Sequence, residues 1–307
     1  MNSRWSREPR IISGNAAVAR LTPNDIQIFK LLAKFRYLQS DDIGALLDVQ
    51  SSAYLIKRLD ILFRKPNQYI NRPSQQRETA NANYRPLVYE LDTKGAAVLK
   101  EHGIEVPPRH PHRNFAHELM VCRILASIEI GALAGSAKLI EWPKIWQKLP
   151  HESKQLDEPH VIKGYKRPDS KPFGIHTEGY YFFAGIEADT GTEPITTSDL
   201  DRSSIHSKFL SYSEIARQRL YKAHFGFPNY FVPIITTTKV RMESMQRHLE
   251  HLVKVGKIRP QEAKIFIFGT FPSLTSYGPR QPADGRIFTL IMQALGEAHE
   301  RKKVGLA

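Results

Sequence analysis

The sequence predicts an α/β protein built as two domains, and three observations carry that expectation. The 307 residues exceed the roughly 100–200 typical of one domain. Near the N-terminus, apolar residues recur at helical spacing ahead of a short alternating run. Beyond a Pro-rich stretch at 106–113, long helical patterns alternate with short apolar runs. Hydrophobic residues at 41% and charged residues at 24% are ordinary for a globular chain that buries a core. Apolar runs such as Tyr180 to Ile186 fall far short of the roughly 18 residues a membrane span needs. Arg4, Arg7, Glu8 and Arg10 leave no signal-peptide core, so the expected location is the cytoplasm. A single cysteine, Cys122, permits no internal disulfide and no Cys-based zinc cluster.

The N-terminal elements follow in order. Thr22-Pro23-Asn24-Asp25 reads as a helix start, with a hydroxyl cap, Pro where no N–H is needed and an acid at the third position. Ile28, Leu31, Leu32 and Phe35 then form one apolar stripe. A second helix starts at Ser40-Asp41-Asp42 and buries Ile43, Leu46 and Leu47. A third runs from about Ser52 to Arg64 with Leu55, Leu59, Leu62 and Phe63 inward. After Tyr69 to Arg72 comes a polar stretch, Ser74 to Asn83, expected to be a hairpin tip. Leu87-Val88-Tyr89-Glu90-Leu91 alternates like a strand, and Thr93-Lys94-Gly95 opens a closing helix through about His102.

Three helices and a hairpin are the order of a winged helix, assigned here to about residues 16–105, with 106–113 as linker. Its third helix would enter a major groove, with Tyr54, Lys57, Arg58, Arg64 and Lys65 on the outer face and Arg72, Arg77 and Arg85 on the wing gripping backbone. The charge agrees. Lys+Arg 44 against Asp+Glu 31 give a net charge of +13, and a basic surface attracts phosphates by steering and counterion release. Duplex DNA is therefore the expected partner. The competing readings are a solvated basic helix face and a winged helix that binds protein.

From 114 to 307 a second domain is expected. Phe115 to Leu133 is a helix apolar nearly all round, with Glu118 on one of its stripes. Lys138 to Trp142 is a strand, followed by a long polar region. Tyr165-Lys166-Arg167-Pro168-Asp169 leads through a loop to Tyr180–Asp189, a run apolar on both faces and so a central strand. Glu187 and Asp189 end it at i and i+2, on one side. A helix from about Ser204 to His224, a strand from Tyr230 to Thr236, a helix from about Lys239 to Lys254, a strand from Lys264 to Gly269 and a helix from Gly285 to Lys303 complete the chain. His110-Pro111-His112 reads as linker, because Pro cannot serve a strand ladder. His248 and His251 read as a solvated helix face. No Gly-rich phosphate loop or dinucleotide fingerprint is visible.

The order α-β-β-β-α-β, with Pro-Asp before the central strand and Glu-x-Asp at its end, resembles the restriction-endonuclease-like fold, whose nucleases carry a Pro-Asp…(Asp/Glu)-x-Lys signature. With the winged helix and Tyr89-Glu90-Leu91-Asp92-Thr93-Lys94-Gly95, the chain resembles the replication-relaxation family of plasmids and integrative elements, itself similar to the restriction-endonuclease-like relaxases that mobilise plasmids. The resemblance spans about Leu21 to Leu252. It is most specific at Arg167-Pro168-Asp169, at Glu187 through Glu193, and in the helix holding Lys208 and Tyr212.

The resemblance implies action on DNA of mobile elements during replication or transfer. Paired carboxylates in such a site hold Mg²⁺, or Mn²⁺ in its place, while a lysine stabilises charge. Asp169 and Glu187 match the carboxylates, and Glu118 is a candidate third ligand. Asp189 stands where the signature has lysine; it can bind metal but brings no positive charge. Lys208 from the next helix, or less readily Lys171 from the loop, is the candidate replacement, and Tyr212 one turn later is a candidate nucleophile or a packing residue. Two functions stay open: a metal-dependent nicking protein, and a catalytically silent nuclease fold acting as a relaxosome component or regulator, with relaxosome or replication proteins, or a second copy of the chain, as further partners.

Overall fold

The computed structural model describes residues 18–49, 51–77, 86–107, 114–135, 137–177, 179–197, 203–271 and 284–303. They form a mixed α/β protein whose chain divides into two compact units. Among the described residues, one holds those through Ile130, and the other those from Gly131 to Phe271 and from Gly285 onward.

The first unit opens with helix α1 (Pro23–Phe35), where Thr22 and Asp25 form a reciprocal capping box behind Pro23. Its apolar stripe, Ile28, Phe29, Leu32 and Phe35, is buried. Strand β1 (Leu38–Gln39) leads into α2 (Ser40–Leu46), and Ser51 caps α3 (Ser52–Phe63). Leu55, Leu59, Leu62 and Phe63 face inward as their spacing dictates. Strands β2 (Ile70–Asn71) and β3 (Val88–Leu91) follow, with a 3-10 turn at Ser74–Arg77 after β2, before α4 (Thr93–Glu101). β3 lies between β1 and β2, antiparallel to both. All four of its residues are buried, so its alternation separates two covered faces rather than core from solvent.

Helix α5 (Phe115–Ala134) was expected to belong wholly to the second domain, yet most of it lies in the first unit. Phe115, Leu119, Cys122 and Ala126 join the core of α1, α3 and β3. The polar anchor is Arg123, whose Nε sits 3.1 Å from the buried Asp42 carboxylate.

In the second unit β4 (Lys138–Ile140), β5 (Phe173–Thr177) and β6 (Tyr180–Ala184) form an antiparallel sheet, and β7 (Glu187–Asp189), β8 (Val232–Thr236) and β9 (Phe266–Thr270) a parallel one. A parallel bridge between Ala184 and Phe231 links them. The Phe231 N–H donates to the Phe183 carbonyl (2.8 Å) and the Gly185 N–H to the Phe231 carbonyl (3.2 Å). The predicted continuous strand Tyr180–Asp189 is therefore two strands hinged at Gly185, with β6 serving the antiparallel side and β7 the parallel side. Only glycine fits the hinge: a Cβ there would lie 2.3 Å from the Tyr230 hydroxyl and 3.1 Å from Pro168 Cβ.

Other expectations shift for local reasons. The polar region after β4 holds two short helices, α6 (Trp142–Lys148) and α7 (His151–Lys154). The single helix expected from Ser204 to His224 is α8 (Ile205–Arg217) and α9 (Leu220–Phe225), parted at Arg219, whose φ of 53° is left-handed. α10 (Lys239–Lys254) has its predicted ends, capped by Thr238. α11 (Pro260–Ala263) precedes β9, and α12 (Arg286–Lys303) closes the chain. Phe209 and Tyr212 of α8, Val232 and Ile234 of β8 and Met245 of α10 make one core, each large side chain contributing about 1.5–3 kcal/mol of burial before entropy.

Candidate active site and outer helix face

The Pro168-Asp169-Ser170 segment is stitched alongside the start of β7. The Asp169 N–H donates to the Ile186 carbonyl (2.9 Å), the Ala188 N–H donates to Asp169 Oδ2 (2.8 Å), and the Ile186 N–H donates to the Ser170 hydroxyl (2.9 Å). The Lys166 N–H reaches the Ser211 hydroxyl of α8 at 2.8 Å. These bonds fix the Asp169 backbone beside Glu187. The cations next to it in sequence turn elsewhere: Arg167 pairs with Glu158 at 2.6 Å, and Lys166 Nζ lies by the Ser203 hydroxyl.

Glu187 is 1% exposed. The Tyr212 hydroxyl donates to its Oε1 in a short hydrogen bond. Lys208 Nζ stands 2.7 Å from Oε2, a charge contact without an aligned hydrogen bond, and 2.9 Å from Glu193 Oε2. Capping of α8 by Ser204, together with the Ile205 N–H on the Pro194 carbonyl, sets the first turn of α8 so that Lys208 and Tyr212, one turn apart, both meet Glu187. Burial pushes the Glu187 carboxyl up to about 7, the charge of Asp169 adding to the rise and Lys208 opposing it. Burial alone would lower the Lys208 ammonium, but Glu187, Asp169 and Glu193 outweigh it and hold it above its ordinary value. Burial, then Glu187, raise the Tyr212 phenol well above its usual range. Tyr212 is thus a donor to Glu187, packed in the core.

Asp189 is engaged differently. Arg241 forks onto it, Nε to Oδ2 at 2.7 Å and the terminal nitrogen to Oδ1 at 2.9 Å, and the Thr236 hydroxyl donates at 2.6 Å. Arg241 also donates to the Glu193 carbonyl. Asp189 is thus a strand-end carboxylate tied by Arg241 of α10 and by Thr236. Glu118 sits on the first unit's share of α5, paired with Arg36 at 3.1 Å. Lys171 is exposed in the loop before β5. Among the described residues no group of three or more His, Cys, Asp or Glu side chains is arranged to hold a metal ion. Sequence reasoning missed Arg241, Thr236 and the role of Glu193. The capping threonine at 238 places Arg241 in the first turn of α10, but which strand end it meets depends on the parallel pairing of β7 with β8.

In the first unit, Tyr54 is 63% exposed on α3, with Ile56, Lys57 and, past the helix end, Lys65 beside it on the outside. Arg58, Arg64 and Arg72 do not share that freedom. Arg58 Nε donates to Asp25 Oδ1 at 2.8 Å and its terminal nitrogen to the Arg20 carbonyl at 2.9 Å. Burial would raise the Asp25 carboxyl, but the Arg58 and Thr22 hydrogen bonds prevail and hold it below its ordinary value. Arg64 pairs with Asp60 one turn back. Arg72 lies 3.1 Å from Asp60 and 4.0 Å from the centre of the Phe63 ring. Arg77 ends the turn after β2, and Arg85 lies outside the described residues.

A mixed α/β chain with a buried carboxylate–lysine cluster where the Pro-Asp segment meets a parallel strand is the class these features define. The chain matches the replication-relaxation family over residues 29–229 and belongs to that family, which gives it a part in replication or mobilisation. The match takes in Asp169, Glu187, Lys208 and Tyr212 and stops short of Arg241. No curated protein and no solved structure matches it. Among the described residues, no helix is long and apolar enough to cross a membrane.

Proposed function

We propose that this protein binds duplex DNA of a mobile element through a winged-helix first unit and nicks it at a nuclease-like site formed by Asp169, Glu187 and Lys208. The observation that carries the chemistry is Lys208 Nζ at 2.7 Å from Glu187 Oε2, with the Asp169 segment bonded to the same strand. The pair restores the two-carboxylate-and-lysine set that the sequence signature lacks at Asp189. Arg241 neutralises Asp189, so that its charge adds little repulsion to that of Asp169 and Glu187.

The residues that would hold a Mg²⁺ are Asp169 and Glu187, two carboxylates close enough that the charge of Asp169 raises the Glu187 carboxyl, and a divalent ion there would offset that repulsion. When bound it would polarise a phosphodiester and acidify a water. The protein's own groups do the rest: Lys208 offsets charge that develops on phosphate, Tyr212 holds Glu187 in place, and Glu193 holds Lys208. For the DNA, Tyr54 and Lys57 on α3 are the residues placed to meet base edges or phosphates, with Lys65 at the helix end.

A thermal-shift titration with Mn²⁺ tests the site. Preferential binding to the folded state should raise Tm in the wild type and not in Asp169→Asn/Glu187→Gln. An unshifted wild type contradicts the metal site and leaves the duplex-binding claim standing. That claim falls if Tyr54→Ala/Lys57→Ala binds duplex with unchanged affinity and salt slope, each lost phosphate contact being expected to lower the slope by about 0.9.

A further inference from the structure

We infer that the outer end of the β4–β5–β6 sheet is a stacking platform for unpaired bases of single-stranded DNA, made by Tyr181 and His176 with Lys138 beside them. The inference rests on the DNA reading and names the form of substrate that the second unit holds.

Tyr181 is 49% and its neighbour Tyr180 42% exposed, although the sequence run Tyr180–Phe183 has the composition of a buried strand. The strand register pairs Lys138 with His176 and His176 with Tyr181, so the three occupy one row across three strands on one sheet face. The imidazole of His176 lies flat on the Tyr181 ring, centroids 4.3 Å apart and planes within 22°. The row is therefore a rigid aromatic surface, held open to solvent and ended by an exposed ammonium. Next on the same face, Ile140, Gly174 and Phe183 turn inward, and a Cβ at Gly174 would lie 2.9 Å from the Phe183 ring. The sheet thus passes from packed core to bare aromatics within two residues.

Aromatic faces with a flanking cation are what single strands need, since every base has a π-face and every nucleotide a phosphate, whereas stacked bases of a duplex offer no face. Tyr181 and Glu187 are six positions apart, at most about 20 Å along a strand, a span that several nucleotides cover. A strand opened at the nick site can thus lie along β6 with a base on the His176–Tyr181 stack.

The test is an anisotropy titration with labelled oligo-dT, an abasic strand of the same length, and duplex. Wild type should bind oligo-dT roughly tenfold tighter than the abasic strand. Tyr181→Ala and His176→Ala should each lose about that factor on oligo-dT, Tyr181→Trp should restore it, and Lys138→Ala should lower the salt slope by about 0.7. Duplex affinity should not change in any of them. Equal affinity of the wild type for oligo-dT and the abasic strand overturns the platform, as does a Tyr181→Ala that binds oligo-dT like wild type, and duplex binding in the same titration shows whether the DNA reading survives. A wild type that binds neither form overturns both.

Discussion

Arg58 illustrates how one residue's chemistry can be visible in the sequence while its use is not. Its position on α3 suggests a DNA contact, but Asp25, brought into the core by the capping box of α1, claims it from 33 positions away. Arg58→Ala should therefore cost about 3 kcal/mol through an unpaired buried carboxylate, read as a drop in Tm, while Lys57→Ala leaves Tm alone and weakens duplex binding. The Thr22-Pro23-Asn24-Asp25 cap was legible because capping is local; the ion pair was not, because it depends on how α1 crosses α3. His206 and His248, one predicted helical face and one residue unremarked, share a ring-to-ring hydrogen bond of 3.0 Å. Burial, then Lys257, lower the first; burial, then His206, His251 and Lys257, lower the second. A folded pKa below the ordinary value means stability present above about pH 6.5 and lost as pH falls through that value toward the folded pKa. The Tm difference between wild type and His248→Gln should accordingly move against the wild type between pH 7.5 and 5. A difference independent of pH would contradict the lowered imidazole pKa values.

At the scale of elements, helix spacing and strand alternation located α1 to α5, β3, β8 and α10, because their patterns record which face is buried. The hinge at Gly185 and strand β5 left weaker marks, because each is set by what packs against it, Tyr230 and Pro168 at the hinge and β6 against β5. The candidate site shows the same division. Pro168-Asp169 and Glu187 could be read from spacing, and Lys208 and Tyr212 from their helical repeat, whereas the Arg241 fork onto Asp189 needed the parallel sheet. Gly185→Ala should push Pro168 and Tyr230 apart and shift Asp169 against Glu187. The expected outcome is a folded protein, by circular dichroism, that loses the Mn²⁺ stabilisation. Arg241→Ala should cost about 3 kcal/mol, since Asp189 is 3% exposed, and Asp189→Asn should keep the metal response that Glu187→Gln abolishes. Loss of that response in Asp189→Asn would return Asp189 to the ligand set.

For the whole molecule, the net charge is read from composition, and the replication-relaxation family was reached as a resemblance carried by Tyr89–Gly95, Arg167-Pro168-Asp169, Glu187–Glu193 and the helix of Lys208 and Tyr212. The assignment of α5 was not legible, because a helix apolar on every side is compatible with either neighbour until its partners are known. The central claim is that the second unit cuts DNA with Asp169, Glu187 and Lys208, and relaxation of supercoiled plasmid carrying the cognate site measures it most directly. Wild type with Mg²⁺ or Mn²⁺ should convert the plasmid to open circle, Glu187→Gln should not, and Lys208→Ala should do so at least tenfold more slowly. A wild type that binds the site yet leaves it supercoiled across both metals and from pH 6 to 9 would contradict the claim and leave the protein a DNA binder without cleavage.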